Sequence, residues 1–480
     1  MDKLKEKVLL SNSAIIYGAG AVANITYLYL KNCKLSDRIV SFVVTAKENN
    51  ADDKFGIPVR ELDEIKDYNR DILIIVATQE IVQAEIVENL RGLEFNNVIR
   101  VLSDEILKAL YQSCYIQPVQ KNKVLFSNMR GLGYGGNPKY IAQKLLDMDK
   151  SNRLDLVWAV TEDSDVFPER IRTVEYGSLE YYEELATAHI WIDNMRKSAD
   201  VIKREGQYYI QAWHGAAPFK MVEKDTEKTL SAPYIQNAKN DSKMADLFLS
   251  GSEFYTKLYQ NVFWYDGDIM KVGLPRQDIF WNMDYARQKV FEYYKLPLDI
   301  LLVLYAPTFR NSFDTKVYDL DFVNVRNAIE KRFGKRVVFA VSKHPNNRSL
   351  DYCFEYSKEC IDVSKYDDFE EVLAAADILI TDYSGCAYDF SFSEKPIFLY
   401  QSDYEQFFGE ERKFYFSVEE LPYISSKSNN ELVKEIENFD EDKYKQELKK
   451  FMDSMGNYDT GKASEKVALH IMKLCDVNIE

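Results

Sequence analysis

The chain has 480 residues, 46% hydrophobic and 29% charged, with a formal net charge of -16. That length predicts two or three domains. The charge excludes a protein that coats nucleic acid, though not a local basic patch. Six scattered cysteines without a CxxC pair read as thiols of a reducing compartment. No apolar run approaches the roughly 18 residues of a membrane span, and the amino terminus carries no leader-like apolar segment. A cytoplasmic location is therefore expected.

Taken in order, the first 118 residues have their own strand–helix rhythm. Ala14–Tyr17 is a short apolar strand, and a helical stretch follows to Asn32. Ile39–Val44, 71–77 and 97–102 read as further strands, and such alternation predicts a parallel sheet covered by helices. Gly18 and Gly20 follow the first strand, but Ala23 stands where a dinucleotide fingerprint has its third glycine. A tight turn in a small Rossmann-like domain is thus weighed against a ligand loop. Near 120 the pattern restarts, with strands at 124–127, 156–160, 171–174, 188–192, 208–213, 246–250 and 269–272. A glycine-rich loop, GLGYGGNP at 131–138, lies after the first of these, and Pro138 suits the start of a helix. A second block begins near 300, with strands at 300–306, 336–341, Ile378–Thr381 and 396–400 and a helical tail over 430–473. The expected division is 1–118, 119–295 and 296–480.

Two such blocks imply a cleft, because ligands sit beyond the carboxyl ends of parallel strands. The unusual polar residues fall there. His214, in QAWHG, ends one strand beside Gly215, and a histidine near its ordinary pKa suits proton removal from a hydroxyl. The alternative is a structural histidine in a turn. Arg310 ends another strand, in PTFR. Lys343, His344 and Arg348, in SKHPNNR, resemble an anion clamp, against the alternative of a solvated basic turn. Ser384 follows Ile378–Thr381 directly, where a helix start offers free N–H groups to a phosphate or merely carries an ordinary cap. Asp382 and Asp389 flank it. The Asp-x-Asp pairs at 163–165 and 266–268 have diphosphate–metal spacing, but such pairs are common by chance. The stretch 196–204 carries Arg196, Lys197, Lys203 and Arg204 against Asp200, after Ile190, Trp191 and Ile192. It reads as a patch for anionic lipid or as a helix end packed on its lobe.

Several strings stand in a fixed order: GNPKYI at 136–141, LATAHIWIDN at 185–194, QAWHG, KVGLPRQD at 271–278, YAPTFR at 305–310, KHPN, a long run at 362–390 ending in TDYSGCAYDF, KPIFLY, and YDTGKASEKV at 458–467. On these, residues 122–473 resemble the CDP-glycerol glycerophosphotransferase family of teichoic acid polymerases and primases. The resemblance implies an α/β fold with a GT-B-like pair of Rossmann-type lobes, beside the additional small N-terminal Rossmann-like domain. It implies a CDP-glycerol or CDP-ribitol donor, release of CMP, and a lipid-linked or glycan acceptor at the inner membrane surface, with no cofactor and no required metal. It makes His214 the base and Asp389 a polyol contact. Arg310, Lys343, His344, Thr381, Ser384 and Gly385 become the donor site, and Gly215 and Asn137 the acceptor side. Two departures stand out: Gly385 replaces a second serine, and Ala216 replaces a threonine beside the base. A glycosyltransferase using a nucleotide sugar and a non-catalytic CDP-polyol-binding module are the other readings.

Overall fold

The structure is a computed structural model that describes residues 2–47, 50–162, 166–199, 201–215, 220–308, 310, 318–343, 354–410 and 414–477. Three sheets organise it. The first runs, in spatial order, Asp53–Lys54, Ile57–Glu61, Ile39–Val44, Ala14–Tyr17, Leu73–Val76, Val98–Arg100. The second runs Asp268–Lys271, Leu247–Ser250, Tyr208–Gln211, Ala188–Asp193, Gln120–Ser127, Asp155–Val160, Ile171–Glu175. The third runs Cys360–Asp362, Val337–Val341, Leu301–Ala306, Ile378–Thr381, Ile397–Tyr400, Ile424–Ser426. Pairing is parallel throughout except for the short hairpin of Asp53–Lys54 with Ile57–Glu61. Central strands such as Leu301–Ala306 are buried on both faces, which is why they read as continuous apolar runs. In the first sheet Ile15, Val43, Ile74 and Val76 face one core, while Ala14, Ile16, Phe42 and Leu73 face the other. That second core is continuous with the core of the rest of the chain.

The second and third sheets are the centres of two lobes. Helix Gly136–Met148 belongs to the first lobe and helix Phe369–Ala375 to the second. They are joined through Lys139, whose Nζ lies 2.5 Å from Asp368 Oδ2 and 2.8 Å from Glu371 Oε1. The Tyr140 hydroxyl donates to the same Asp368 oxygen. The last helix, Ala463–Leu474, returns from the second lobe to pack on Gly136–Met148. The Asp278 carboxylate caps it from across the junction, accepting from the backbone of Ala463 and Ser464 and from the Ser464 hydroxyl.

Just before that helix, Asp459 Oδ1 accepts the Leu274 amide at 2.7 Å. Gly273, at φ +95°, leaves it room, since a Cβ there would lie 2.5 Å from Oδ1. Asp459 Oδ2 is sealed from solvent without a partner among the described residues. Burial pushes this carboxyl up to about 8; the Leu274 amide opposes the rise, and the charges of Asp278 and Asp389 add to it. A carboxyl whose folded pKa is raised binds more protons folded than unfolded, so stability falls as pH rises from the unfolded value toward about 8. The thermal stability of Asp459→Asn relative to the parent is expected to rise by a few degrees between pH 5 and pH 8.5, because the parent loses stability across that window. Parallel melting curves for the two proteins at both pH values would refute this assignment.

The segment 196–204 is not a lipid patch. Arg196 and Lys197 are 6% and 3% exposed. Arg196 pairs with Glu223 and Asp241, and Lys197 with Asp193. Lys203 pairs with Asp246, and Arg204 donates to the Gln117 and Ala186 carbonyls. The sequence reads as a basic run because the acids that neutralise it arrive from other elements. No described helix is long and apolar enough to cross a membrane.

Candidate active site

The two lobes face each other across a cavity of about 500 Å³. Its walls are the carboxyl ends of the strands. Asn128, Asn194 and His214 follow three strands of the first lobe, and Thr308, Lys343, Ser364 and Ser384 follow four of the second. This is the placement expected for a ligand site in parallel sheets.

His214 is positioned by its backbone. The strand Tyr208–Gln211 ends, and Trp213 takes φ +47°, a left-handed conformation that costs a bulky residue about 1–2 kcal/mol. Asn137 holds it there: its Nδ2 donates to the carbonyls of Ala212 and Trp213 at 2.7 and 3.0 Å. The imidazole packs against Trp213, with ring centroids 4.4 Å apart and the planes tilted by 33°. His214 Nδ1 lies 3.0 Å from the Asn194 carbonyl, which can only accept, so Nδ1 carries the proton and Nε2 is the basic nitrogen. Asn194 is itself held by the Met129 amide and by Asn128. Gly136, at φ +61°, admits this pair, because a Cβ there would press on both side chains at under 3 Å. His214 is an exposed residue that lines the cavity. Desolvation by the surrounding protein lowers its pKa toward about 4; the Asn194 carbonyl opposes, and Arg276 and Arg196 add to the depression.

On the facing wall, Lys343 is 6% exposed, its amide donates to the Ser364 hydroxyl and its Nζ sits 2.9 Å from Asp362. Ser384 and Gly385 lie at the start of a single helical turn, Cys386–Phe390, and the Ser384 hydroxyl accepts the Cys386 amide at 3.3 Å. Lys220 pairs by a backbone bridge with Phe414 of the second lobe and lines the same cavity.

Four sequence-derived site residues stand elsewhere. Arg310 is 4% exposed and fully committed: it donates to both oxygens of Asp403, to Asp382 and to the Thr308 carbonyl. These bonds tie together the strand-end loops that line the cavity. The Thr381 hydroxyl is buried and donates to the Ala306 carbonyl. Asn137 is 1% exposed and spends its amide on the His214 turn. Asp389 is buried in a bidentate pair with Arg276, at 2.8 and 3.0 Å, and accepts from Gln277. None of the four lines the cavity. Gly215, a fifth that does not line the cavity, lies beside the His214 turn, where a Cβ would come within 3.2 Å of the Tyr255 hydroxyl. His344 and Arg348, Ala216, and the Asp-x-Asp pair at 163–165 lie outside the described residues. Asp266 and Asp268 join no cluster of three potential metal ligands among the described residues. Sequence reading missed Arg276 and Glu370, both on the cavity wall. The one signal for Arg276 was its place in KVGLPRQD.

Two facing parallel sheets with polar residues at their strand ends define the GT-B-like class of two-lobed α/β proteins. Residues 109–473 match the CDP-glycerol:poly(glycerophosphate) glycerophosphotransferase family, and the chain belongs to that family. It is 29% identical over 372 residues to a teichoic acid poly(glycerol phosphate) polymerase of Staphylococcus epidermidis, covering 73% of this chain and 50% of that one. The chain thus spans half the length of that relative. It is 25% identical over 420 residues to the teichoic acid ribitol-phosphate polymerase TarL of Staphylococcus aureus, covering 84% and 73%. Among solved structures, the wall teichoic acid polymerase TagF superposes with a TM-score of 0.67 at 26% identity, covering 82% of this chain and 96% of that one.

Proposed function

We propose that this cleft transfers a polyol phosphate, with glycerol phosphate as the leading substrate, from a CDP-polyol to a cell-envelope glycan or lipid-linked acceptor. The observation that carries the reading is the opposition of His214, its Nδ1 held by the Asn194 carbonyl, to Lys343 and the Ser384–Gly385 turn across one cavity. An acceptor hydroxyl oxygen attacks the phosphorus that bears the polyol. The bond from that phosphorus to the bridging oxygen breaks, and CMP leaves with the electron pair. His214 Nε2 takes the hydroxyl proton. Lys343, the Ser384–Gly385 amides and hydroxyl, and the neighbouring His344 stabilise the charge that moves onto CMP, so positioning and electrostatics supply most of the acceleration. Residues 1–118 form a separate unit beside lobes 119–295 and 296–480 in this reading, and a lipid-linked acceptor places the reaction at the cytoplasmic membrane face.

The relatives include glycerol- and ribitol-phosphate enzymes, so the donor is decided by assay. Purified protein is incubated with CDP-glycerol, CDP-ribitol or a nucleotide sugar and a glycan or lipid-linked acceptor. CMP release with CDP-glycerol, dependent on acceptor, is the expected result. Release of a nucleoside diphosphate from the sugar donor alone would instead mark a glycosyltransferase. Binding of CDP-polyol without turnover would mark a binding module.

A further inference from the structure

Three successive carbonyls carry the turn that presents His214. Asn137 holds those of Ala212 and Trp213, and Arg276 NH1 donates to that of His214 at 2.9 Å. Asn137 Oδ1 also accepts the Arg276 amide at 3.1 Å, so both clamps are tied together. The same guanidinium reaches into the second lobe. NH1 donates to Glu370 Oε1 at 3.1 Å, and NH2 donates to both oxygens of Asp389. Arg276 thus joins the base of one lobe to two carboxylates of the other, with side chains on all sides about nine-tenths or more buried.

We infer that Arg276, on the same lobe as His214 and held by Asp389 and Glu370 of the opposite lobe, is a positioning residue that sets the geometry and proton affinity of His214. This rests on the reading of His214 as the base. It also gives Asp389 a role other than contact with the polyol. A planar fork is needed, because one cation must serve a main-chain carbonyl and two carboxylates at fixed angles; a lysine ammonium keeps the charge and loses the fork. The junction holds Lys139, Lys289 and Arg276 against Asp368, Glu370, Glu371 and Asp389. With one carboxylate in excess, the cluster favours a proton on one of them. Burial pushes Glu370 up, Arg276 opposes, and Asp368 adds to the rise. The charges that act on the imidazole are those of Arg276 and Arg196, both of which lower its proton affinity.

The test uses the full chain, with CDP-glycerol as donor and CMP release as readout, beside NMR titration of labelled histidine. There are only four histidines, so the His214 resonance is identified by its loss in His214→Ala. Arg276→Lys is expected to lower kcat at least about tenfold with donor affinity within about threefold, and to add nothing to the loss caused by His214→Ala. Arg276→Gln is expected to raise the His214 titration midpoint. Asp389→Asn, which keeps the shape of the site, is expected to show the same kcat-specific loss and serves if the Arg276 variants do not fold. Should Arg276→Lys and Asp389→Asn both keep parental kcat, or should their losses multiply with that of His214→Ala, the inference is overturned. If His214→Ala itself keeps parental turnover, the base assignment fails, and the His214 titration decides alone: a midpoint unmoved in Arg276→Gln overturns the positioning role as well.

Discussion

Replacement of His214 by alanine is expected to lower turnover at least about 100-fold while CDP-polyol affinity stays within a few-fold. The ring is held at Nδ1 by the Asn194 carbonyl and packed against Trp213, so the geometry leaves Nε2 for the hydroxyl proton. The donor wall, with Lys343, Ser364 and Ser384, belongs to the other lobe and is untouched by the substitution. The expected loss therefore falls on kcat. The pH profile carries a second expectation. Desolvation lowers the His214 pKa from 6.5 toward about 4, so the unprotonated base is the resting form at neutral pH. The acid limb of kcat/KM should then lie below the ordinary histidine range, and it should vanish from the residual activity of His214→Ala. For stability the sign is the same: a histidine with a depressed folded pKa binds fewer protons folded than unfolded, so its contribution is lost as pH falls below 6.5. Turnover of His214→Ala within a few-fold of the parent would leave the histidine a structural part of the turn.

Lys139→Ala should destabilise the protein by about 3–5 kcal/mol, the usual cost of removing one partner from a buried ion pair. The Lys139, Asp368 and Glu371 side chains are 4%, 1% and 3% exposed, and the ammonium contacts both carboxylates. Burial alone would disfavour the charge of Lys139, yet the two carboxylates raise its pKa. The charge of Lys139 in turn holds the Asp368 carboxyl below its usual range, although burial acts to raise it. A carboxyl with a lowered folded pKa contributes stability above 3.8 that is lost as pH falls through the folded value. Without Lys139, two carboxylates remain at the lobe junction with Lys289 and Tyr366 as partners of Glu371 only. Denaturant unfolding measures the loss. The double variant with Asp368→Asn should recover part of it, because the orphaned charge is then removed. A change under about 1 kcal/mol, or no recovery, would show that the junction is solvated in solution.

The strands that carry the cavity were legible because they are buried on both faces. Leu301–Ala306 and residues 378–380 carry only apolar and aromatic side chains, so polarity resumes at the strand ends, where Thr308 and Ser384 meet the ligand space. The edge strands Cys360–Asp362 and Ile424–Ser426, and Ile57–Glu61 next to the edge of the first sheet, escaped the same reading. They are short and partly exposed, and half-buried edges lack a continuous apolar run.

The amino-acid sequence by itself determined the order of strands and helices, the cleft at the strand ends, and the placement of His214, Lys343 and Ser384 on it. Local rules suffice there, since a polar residue that directly follows a central strand has little choice of position. Only the tertiary structure decided which other polar side chains face the cavity. Asp389, Thr381 and Arg310 lie in the same motifs as the lining residues, yet each turns to a partner brought from far along the chain: Arg276, the Ala306 carbonyl, and Asp382 with Asp403. The basic run at 196–204 was neutralised in the same way, by Glu223, Asp241 and Asp246. A buried charge takes whichever counter-charge the fold delivers, and that pairing depends on packing between elements that local sequence does not encode.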